Sequence, residues 1–145
     1  MLTKRIAAIK VMHSAHLHSP QERDRFLQEA DFLIILKHPH ILLIYDFGID
    51  EDEGLPFLVM EYAPNGSLRD LLDRQTQQPL PLSQSLSIIE QVGEALQFAH
   101  QLGIVHRDLK PENILFNAQG KVLQKLSRIA ESQQAYEKGN QLENQ

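Results

Sequence analysis

The sequence predicts an α+β fold in which a small sheet with one helix precedes a mainly helical part. A capped amphipathic helix follows a first short apolar run, two further apolar runs flank an acidic turn, and a long helix with an apolar stripe comes later. Because alternating apolar residues favour strands and a 3.6-residue period favours helices, this order indicates an antiparallel sheet followed by helices. The chain has 145 residues, a usual size for one domain.

The first helix has a clear start signal. Ser19 is a candidate N-cap, Pro20 suits the first helical position, and Glu22 completes a capping box. Helical spacing then predicts a stripe that faces a core. The stripe consists of Phe26, Ala30 and Leu33.

The next segments are predicted to form a hairpin and a short helix. The apolar runs at residues 41–48 and 55–61 pair across the acidic residues 50–54, which we interpret as a solvated turn. Ser67 and Asp70 then form a second capping box.

A longer helix is expected to have Ser83 as its cap and to end at Gly103. Its predicted apolar face comprises Leu86, Ile89, Val92, Leu96 and Ala99. Residues 124–145 are rich in Gln, Glu, Asn and Lys, and this composition favours a frayed helix or a disordered tail.

The motif His-Arg-Asp-Leu-Lys-Pro-Glu-Asn at residues 106–113 has the side chains that a phosphoryl transfer needs. Asp108 can accept a hydroxyl proton, Lys110 can neutralise a transferring phosphoryl group, and Asn113 can offer its amide oxygen to Mg²⁺. The motif resembles the catalytic loop of protein kinases. The alternative is a polar loop between a helix and a strand.

The resemblance extends over about residues 2–116. The run Ala-Ala-Ile-Lys at residues 7–10 is similar to the kinase Val-Ala-Ile-Lys strand, expected here as a central strand. Alternate residues of a strand share a face, so Ala8 and Lys10 point the same way. The resemblance implies that Ala8 lies against the adenine of ATP and that Lys10 binds its phosphates. The alternative for Lys10 is an ordinary surface lysine on an edge strand.

Two further features follow from the resemblance. Glu29 matches the helix C glutamate, which implies an ion pair with Lys10; the alternative is that Glu29 pairs with Arg25 or with solvent. The segment at residues 59–68 resembles the kinase hinge. There Met60 would be the gatekeeper, and the backbone of residues Glu61 to Ala63 would bond the adenine edge.

The resemblance implies a truncated, protein-kinase-like two-lobe fold with a partial sheet, helix C and a partial helical lobe. The kinase part would occupy residues 1–123, with the N-lobe at about 1–61, the hinge at about 61–66 and the C-lobe at about 67–123. It also implies ATP and Mg²⁺ as cofactors and protein serine or threonine hydroxyls as acceptors. The position of Lys110 is typical of serine/threonine kinases rather than of tyrosine kinases.

The sequence also departs from the family pattern. It contains no Gly-x-Gly-x-x-Gly, and residues 122–130 lack the metal-binding Asp-Phe-Gly. The Asp-Phe-Gly at residues 46–48 precedes the hinge, so Asp46 is expected to lie far from Asp108 and Asn113 and to bind no metal. Two interpretations stay open: an inactive fragment of a kinase, and a pseudokinase-like interaction module.

Composition excludes other classes. The formal net charge of −5 argues against general nucleic-acid binding, and the lack of cysteine excludes disulfides and thiolate metal sites. No apolar run is long enough to span a bilayer, so a cytoplasmic protein is expected. His13, His16 and His18 are interpreted as incidental surface residues.

Overall fold

The computed structural model describes residues 5–12, 19–106 and 108–126. Two sequence-based predictions fall outside these ranges, as does the arginine of the catalytic-loop motif. They concern the histidines at positions 13, 16 and 18 and residues 127–145 of the predicted tail. The start of that tail is described: Gln124 is buried in a strand, so the prediction of a frayed or disordered segment is wrong there. Within the described ranges, no helix combines the length and the apolar character needed to cross a membrane.

The chain divides into two compact units. The N-terminal unit comprises residues 1–37 and 43–62, and the C-terminal unit comprises residues 38–42 and 63–145. The short segment 38–42 therefore belongs to the second unit, although residues on both sides of it belong to the first.

The N-terminal unit contains an antiparallel sheet and one helix. Its elements are β1 (Ala7–Val11), α1 (Pro20–Ile35), β2 (Ile44–Ile49) and β3 (Pro56–Glu61). The strand order is β1-β3-β2, so β3 is central among the described strands and β1 lies at an edge. The expectation that Lys10 sits on a central strand is therefore wrong, because β1 pairs only with β3 in the described part of the chain.

The predicted hairpin is confirmed, but its first strand is shorter than expected. β2 and β3 pair antiparallel, with a register shift between Ile44 and Asp46. The strand was expected to begin at Ile41, which instead forms a bridge with Gln124 of the C-terminal unit. Leu42 N–H donates to Gln124 O at 2.9 Å. The backbone just before β2 is therefore hydrogen-bonded to the strand Val122–Gln124 and cannot extend the pairing with β3.

The capped start of α1 is confirmed. Glu22 N–H donates to Ser19 Oγ and Ser19 N–H donates to the Glu22 carboxylate, each at 3.2 Å. Pro20 occupies the first turn, where a missing N–H costs nothing. Phe26 and Ala30 are buried as the stripe predicted, and Leu33 is half-buried.

The C-terminal unit packs one long helix on a small hairpin. Its elements are α2 (Leu68–Arg74), α3 (Leu82–Gln101), a 3₁₀ turn (Pro111–Asn113), β4 (Ile114–Phe116) and β5 (Val122–Gln124). β4 and β5 pair antiparallel. Ile88 and Val92 of α3 form the core with residues of this hairpin. Those residues are Ile114, Phe116 and Val122.

The ends of the helices follow local rules, with one exception. The Ser67–Asp70 capping box of α2 is confirmed. α3 begins at Leu82 with Pro81 as its N-cap, so Ser83 lies inside the helix and the prediction that it caps is wrong. The end is as predicted: Gly103 has φ of 74° and donates to His100 O, and the next N–H donates to Ala99 O.

The buried face of α3 is rotated from the predicted one. Leu86 and Ile89 are exposed, at 57% and 66%. Val92 and Ala99 are buried as predicted, together with Ile88, Gln91 and Ala95, which were not predicted. The buried face of α3 is the one that packs on the β4–β5 hairpin. Gln91 lies on this face because its side-chain amide bonds the backbone of β5.

Two buried glutamines differ in how their amides are satisfied. Gln91 Nε2 donates to Ser87 O and Oγ at 3.1 and 3.0 Å, and Gln91 Oε1 accepts from Val122 N–H at 2.9 Å. Gln124 is 0% exposed, and neither its Nε2 nor its Oε1 has a hydrogen-bond partner in the structure. A buried amide without partners destabilises the fold, whereas a satisfied one supports it.

The capping bonds predict a contrast between two serines. Ser19→Ala should lower the free energy of unfolding by about 1 kcal/mol, because the Glu22 N–H loses its acceptor. Ser83→Ala is the matched control and should change it by no more than a few tenths of a kcal/mol. Urea denaturation of both variants checks this, and equal losses would contradict the assignment of the two helix starts.

The two glutamines predict opposite signs. Gln124→Leu should raise the free energy of unfolding by about 1–3 kcal/mol, because it removes two unsatisfied buried groups. Gln91→Leu should lower it by a similar amount, because it leaves Val122 N–H buried without an acceptor. Thermal and urea unfolding of both variants measure the signs. A loss of stability in Gln124→Leu would show that its amide has a partner.

Candidate functional site

The three catalytic side chains predicted in the loop after α3 lie together in the C-terminal unit. Lys110 Nζ is 3.3 Å from Asp108 Oδ2. Asn113 Nδ2 donates to the main-chain oxygen of Asp108 at 2.8 Å and to its Oδ2 at 3.3 Å. The Asp108 side chain is 33% exposed and that of Lys110 49%, so the carboxylate can reach solvent while two donors hold it.

The 3₁₀ turn places Asn113 in this geometry. Pro111 opens the turn, and Asn113 N–H donates to Lys110 O at 2.9 Å. Asn113 is only 6% exposed, and its carbonyl accepts from Lys125 N–H at 2.8 Å. The backbone of Asn113 is therefore fixed on both sides and its side chain is held through Nδ2, so the amide oxygen keeps the capacity to accept or to bind a cation.

His106 connects the loop to the chain after β5, a role that the sequence did not predict. Its Nδ1 accepts from Asp108 N–H at 3.1 Å, so the proton of the neutral ring is on Nε2, which lies 3.1 Å from Lys125 O. Burial lowers the pKa of His106, against the opposing effects of the Lys125 carbonyl and of Asp108. The sequence feature that could have predicted this role is the position of His106 two residues before Asp108.

Leu126 occupies the position next to this network. It follows Lys125 directly and is 8% exposed. Lys125 contacts both His106 and Asn113, so the backbone brings residue 126 close to the loop. Its side chain is apolar, so this position adds no carboxylate next to the loop.

The side chains present fit only part of a Mg²⁺ site. Mg²⁺ is usually held by one or two carboxylates together with other oxygen ligands. Asn113 Oδ1 can serve as an amide ligand, whereas the Asp108 carboxylate already meets Lys110 and Asn113. Among the described residues, no group of three or more acidic or histidine side chains could hold a metal ion. The donor set therefore does not fit a metal held by the protein alone.

In the N-terminal unit, the predicted nucleotide residues share one sheet face. Ala8 lies opposite Met60 and Lys10 opposite Leu58 in the β1–β3 register. Met60 is 6% exposed, as suits a gatekeeper packed inside the sheet. Lys10 is exposed.

The expected ion pair between Lys10 and Glu29 is not formed. The ion pairs between described residues include neither Lys10 with Glu29 nor Arg25 with Glu29. Glu29 is half-buried and is not without a partner. Lys10 is exposed, so its ammonium is solvated instead of being paired with Glu29.

Fewer backbone groups of the predicted hinge are free to bond adenine than expected. Glu61 N–H donates to Leu43 O at 2.8 Å, and its carboxylate accepts from Leu43 N–H at 3.4 Å. This N–H is therefore used within the N-terminal unit, and only the carbonyl of Glu61 could meet an adenine. Ala63 belongs to the C-terminal unit and is half-buried.

Asp46 makes only a local contact in the described structure. Its Oδ1 accepts from Phe47 N–H at 2.9 Å, and the residue is exposed on β2. It belongs to the N-terminal unit, whereas Asp108 and Asn113 belong to the C-terminal unit. The expectation that Asp46 lies far from both stays a prediction.

Comparison with known proteins identifies the family of the chain. The protein kinase domain model matches residues 1–137. The chain belongs to the protein kinase family. Serine/threonine-protein kinase PknB of Mycobacterium leprae is 40% identical over 116 residues, which cover 79% of this chain and 18% of the relative. The probable serine/threonine-protein kinase pknA2 of Bifidobacterium longum is 40% identical over 121 residues, or 81% and 16% of the two chains.

Solved kinase structures confirm the fold. The kinase domain of Mycobacterium tuberculosis PknI matches with a TM-score of 0.73 and 30% identity, covering 86% of this chain and 50% of that chain. The chain thus spans about half of that kinase domain and less than a quarter of the length of the curated relatives. The truncated, kinase-like α+β architecture predicted from the sequence is confirmed.

The lowered pKa of His106 and that of His38 predict a loss of stability in acid. Burial lowers both, and the charge of His40 also lowers the pKa of His38. The ordinary pKa of a histidine ring is 6.5, and the unfolded chain binds protons on these rings near that pH. In the folded chain each ring is still neutral at the same pH. The free energy of unfolding should therefore fall as the pH drops below about 6.5.

Two measurements check this. Urea denaturation at a series of pH values gives the dependence of the free energy of unfolding on pH. This dependence should be weaker in His106→Gln. NMR titration of the His106 ring should give a midpoint below that of an unstructured histidine peptide. A midpoint at or above the peptide value would contradict the burial of the ring.

Proposed function

We propose that this chain carries the catalytic loop of a serine/threonine protein kinase. The reaction of such a kinase transfers the γ-phosphoryl group of ATP to a protein serine or threonine hydroxyl. The observation that supports the proposal most is the convergence of Lys110 and Asn113 on the Asp108 carboxylate, within 3.3 Å each. Membership of the protein kinase family and the names of the curated relatives support it further.

Each loop residue has a distinct role in this proposal. Asp108 would orient the substrate hydroxyl and accept its proton, a function worth about 10²–10⁴ in rate. Lys110 would offset negative charge on the transferring group, because its ammonium lies beside the same carboxylate. Asn113 would offer its amide oxygen to Mg²⁺, which supplies charge neutralisation for the phosphates when bound.

The N-terminal unit would hold the nucleotide. Lys10 would bind the ATP phosphates once Glu29 or another carboxylate orients its ammonium, and Ala8 would lie against the adenine. Met60 would close the adenine pocket. The carbonyl of Glu61 and the backbone of Ala63 would bond the adenine edge. The shared face of Ala8, Lys10 and Met60 supports these roles. ATP and a protein substrate are thus the proposed partners, and a protein that uses ATP in this way would be cytoplasmic.

We further propose that the 145-residue chain itself does not turn over. The backbone bond between Lys125 and Asn113 places the next residue, Leu126, close to Asn113, and Leu126 supplies no carboxylate. Loss of one preorganised electrostatic group typically costs about 10²–10³ in rate. The missing carboxylate would by itself reduce turnover by about that factor.

A pseudokinase-like interaction module is the second candidate. The observation that favours it is the burial of Leu126, which fills its position with apolar surface and needs no bound cation. In that case the catalytic loop is retained as a structural element, since His106 and Asn113 both hold the chain after β5. The two candidates differ in whether Mg-ATP binds.

Activity and nucleotide binding are tested together on the purified chain. We expect no phosphate transfer to a generic protein substrate beyond that of Asp108→Asn. A rise in melting temperature with Mg-ATP would favour the kinase fragment, and its absence would favour the interaction module. Asp46→Asn is the matched control for loss of an aspartate outside the loop. Turnover that disappears in Asp108→Asn but persists in Asp46→Asn would overturn the proposal of inactivity and establish a working kinase.

Leu126→Asp tests the account of the missing carboxylate. Without metal it should lower the melting temperature, because a charge replaces a buried apolar side chain. Addition of Mg²⁺ should recover part of the loss, since a second carboxylate then faces Asn113. Leu126→Asn, which carries no charge, should show a smaller response. Equal responses of the two variants would show that residue 126 does not face the metal position.

A further inference from the structure

The sheet of the N-terminal unit has a hollow on the face opposite to Lys10. The hollow has a volume of about 510 Å³. Its floor is formed by Ile9, Val11, Leu55 and Phe57. Because side chains alternate along β1, Ile9 and Val11 point away from the face that Ala8 and Lys10 share. The hollow is thus separate from the proposed nucleotide residues.

The floor exposes large apolar side chains side by side. Ile9 is 67% and Val11 44% exposed, and Val11 lies directly opposite Phe57 in the β1–β3 register. Single exposed apolar residues are normal, but a contiguous concave group of them marks a surface that another molecule covers.

The rim of the hollow is acidic and well ordered. Asp50, Asp52 and Glu53 line it. Asp50 N–H donates to Leu55 O at 2.8 Å, and Glu53 N–H donates to Asp50 Oδ2 at 2.8 Å, so the turn has a defined shape. Asp52 and Glu53 are exposed, and the ion pairs between described residues include neither. The guanidinium of Arg23 on α1 lies beside Gly54 in the same turn.

We propose that this acidic hollow docks a segment of a partner protein in which bulky aliphatic side chains alternate with lysine or arginine. The aliphatic side chains would cover the floor, and the cations would meet the carboxylates of Asp52 and Glu53. A second copy of the chain, with a net charge of −5, is repelled by the same rim, and so is nucleic-acid phosphate. The proposal does not depend on whether the chain transfers phosphate.

The charge requirement is tested with a fluorescein-labelled peptide of alternating leucine and lysine residues, and binding is followed by fluorescence anisotropy. Raising the salt from about 0.02 to about 0.2 M should weaken binding several-fold, because salt screens exposed charges. The double variant Asp52→Asn, Glu53→Gln should weaken binding about three- to tenfold at low salt. Glu90→Gln, an exposed carboxylate on α3, is the matched control and should bind as the wild type does.

The apolar requirement has its own matched pair. Ile9 and Ile89 are almost equally exposed, at 67% and 66%, and lie in different units. Ile9→Ser should weaken binding at least about threefold, whereas Ile89→Ser should leave it unchanged. Circular dichroism confirms that both variants fold.

Three outcomes would overturn the proposal. The first is equal weakening by Ile9→Ser and Ile89→Ser, which would indicate adsorption to any exposed apolar surface. The second is wild-type affinity in the Asp52/Glu53 double variant. The third is equal binding of a control peptide in which serine replaces every lysine, which would remove the charge argument.

Discussion

The backbone of Lys125 is the link on which the candidate site depends. Its carbonyl meets His106 Nε2 at 3.1 Å, and its N–H donates to Asn113 O at 2.8 Å. Both bonds require that the chain continue past β5 alongside the loop. With this backbone in place, His106 and Asn113 hold Asp108 between them. A loop rich in polar residues is thereby rigid enough to keep the side chains of Lys110 and Asn113 close to that of Asp108.

The same backbone bonds make the shape of the loop independent of the side chain at position 126. Both bonds at Lys125 are made by backbone atoms, and they do not involve the side chain that follows. Leu126 can therefore be apolar without disturbing the loop, and its burial adds apolar contact. The position of the loop thus depends on main-chain hydrogen bonds rather than on the chemistry of residue 126.

The helix behind the loop is positioned by one polar contact inside an apolar core. Gln91 joins α3 to Val122 of β5, and the face that this contact selects brings Ile88 and Val92 against the hairpin. The segment before β2 is tied to the same strand, since Gln124 N–H donates to the His40 carbonyl at 2.9 Å. The small hairpin of the C-terminal unit thus organises both the long helix and the catalytic loop.

The sequence by itself determined the features that depend on neighbours in the chain. The capping boxes at Ser19 and Ser67 and the helix end at Gly103 were predictable, because each involves residues within a few positions. The catalytic motif was also recognisable as a local pattern. Only the tertiary structure decided which face of α3 is buried, that Lys10 lies on an edge strand, and that Ile41 pairs with β5. These depend on contacts between residues distant in sequence, about which periodicity carries no information.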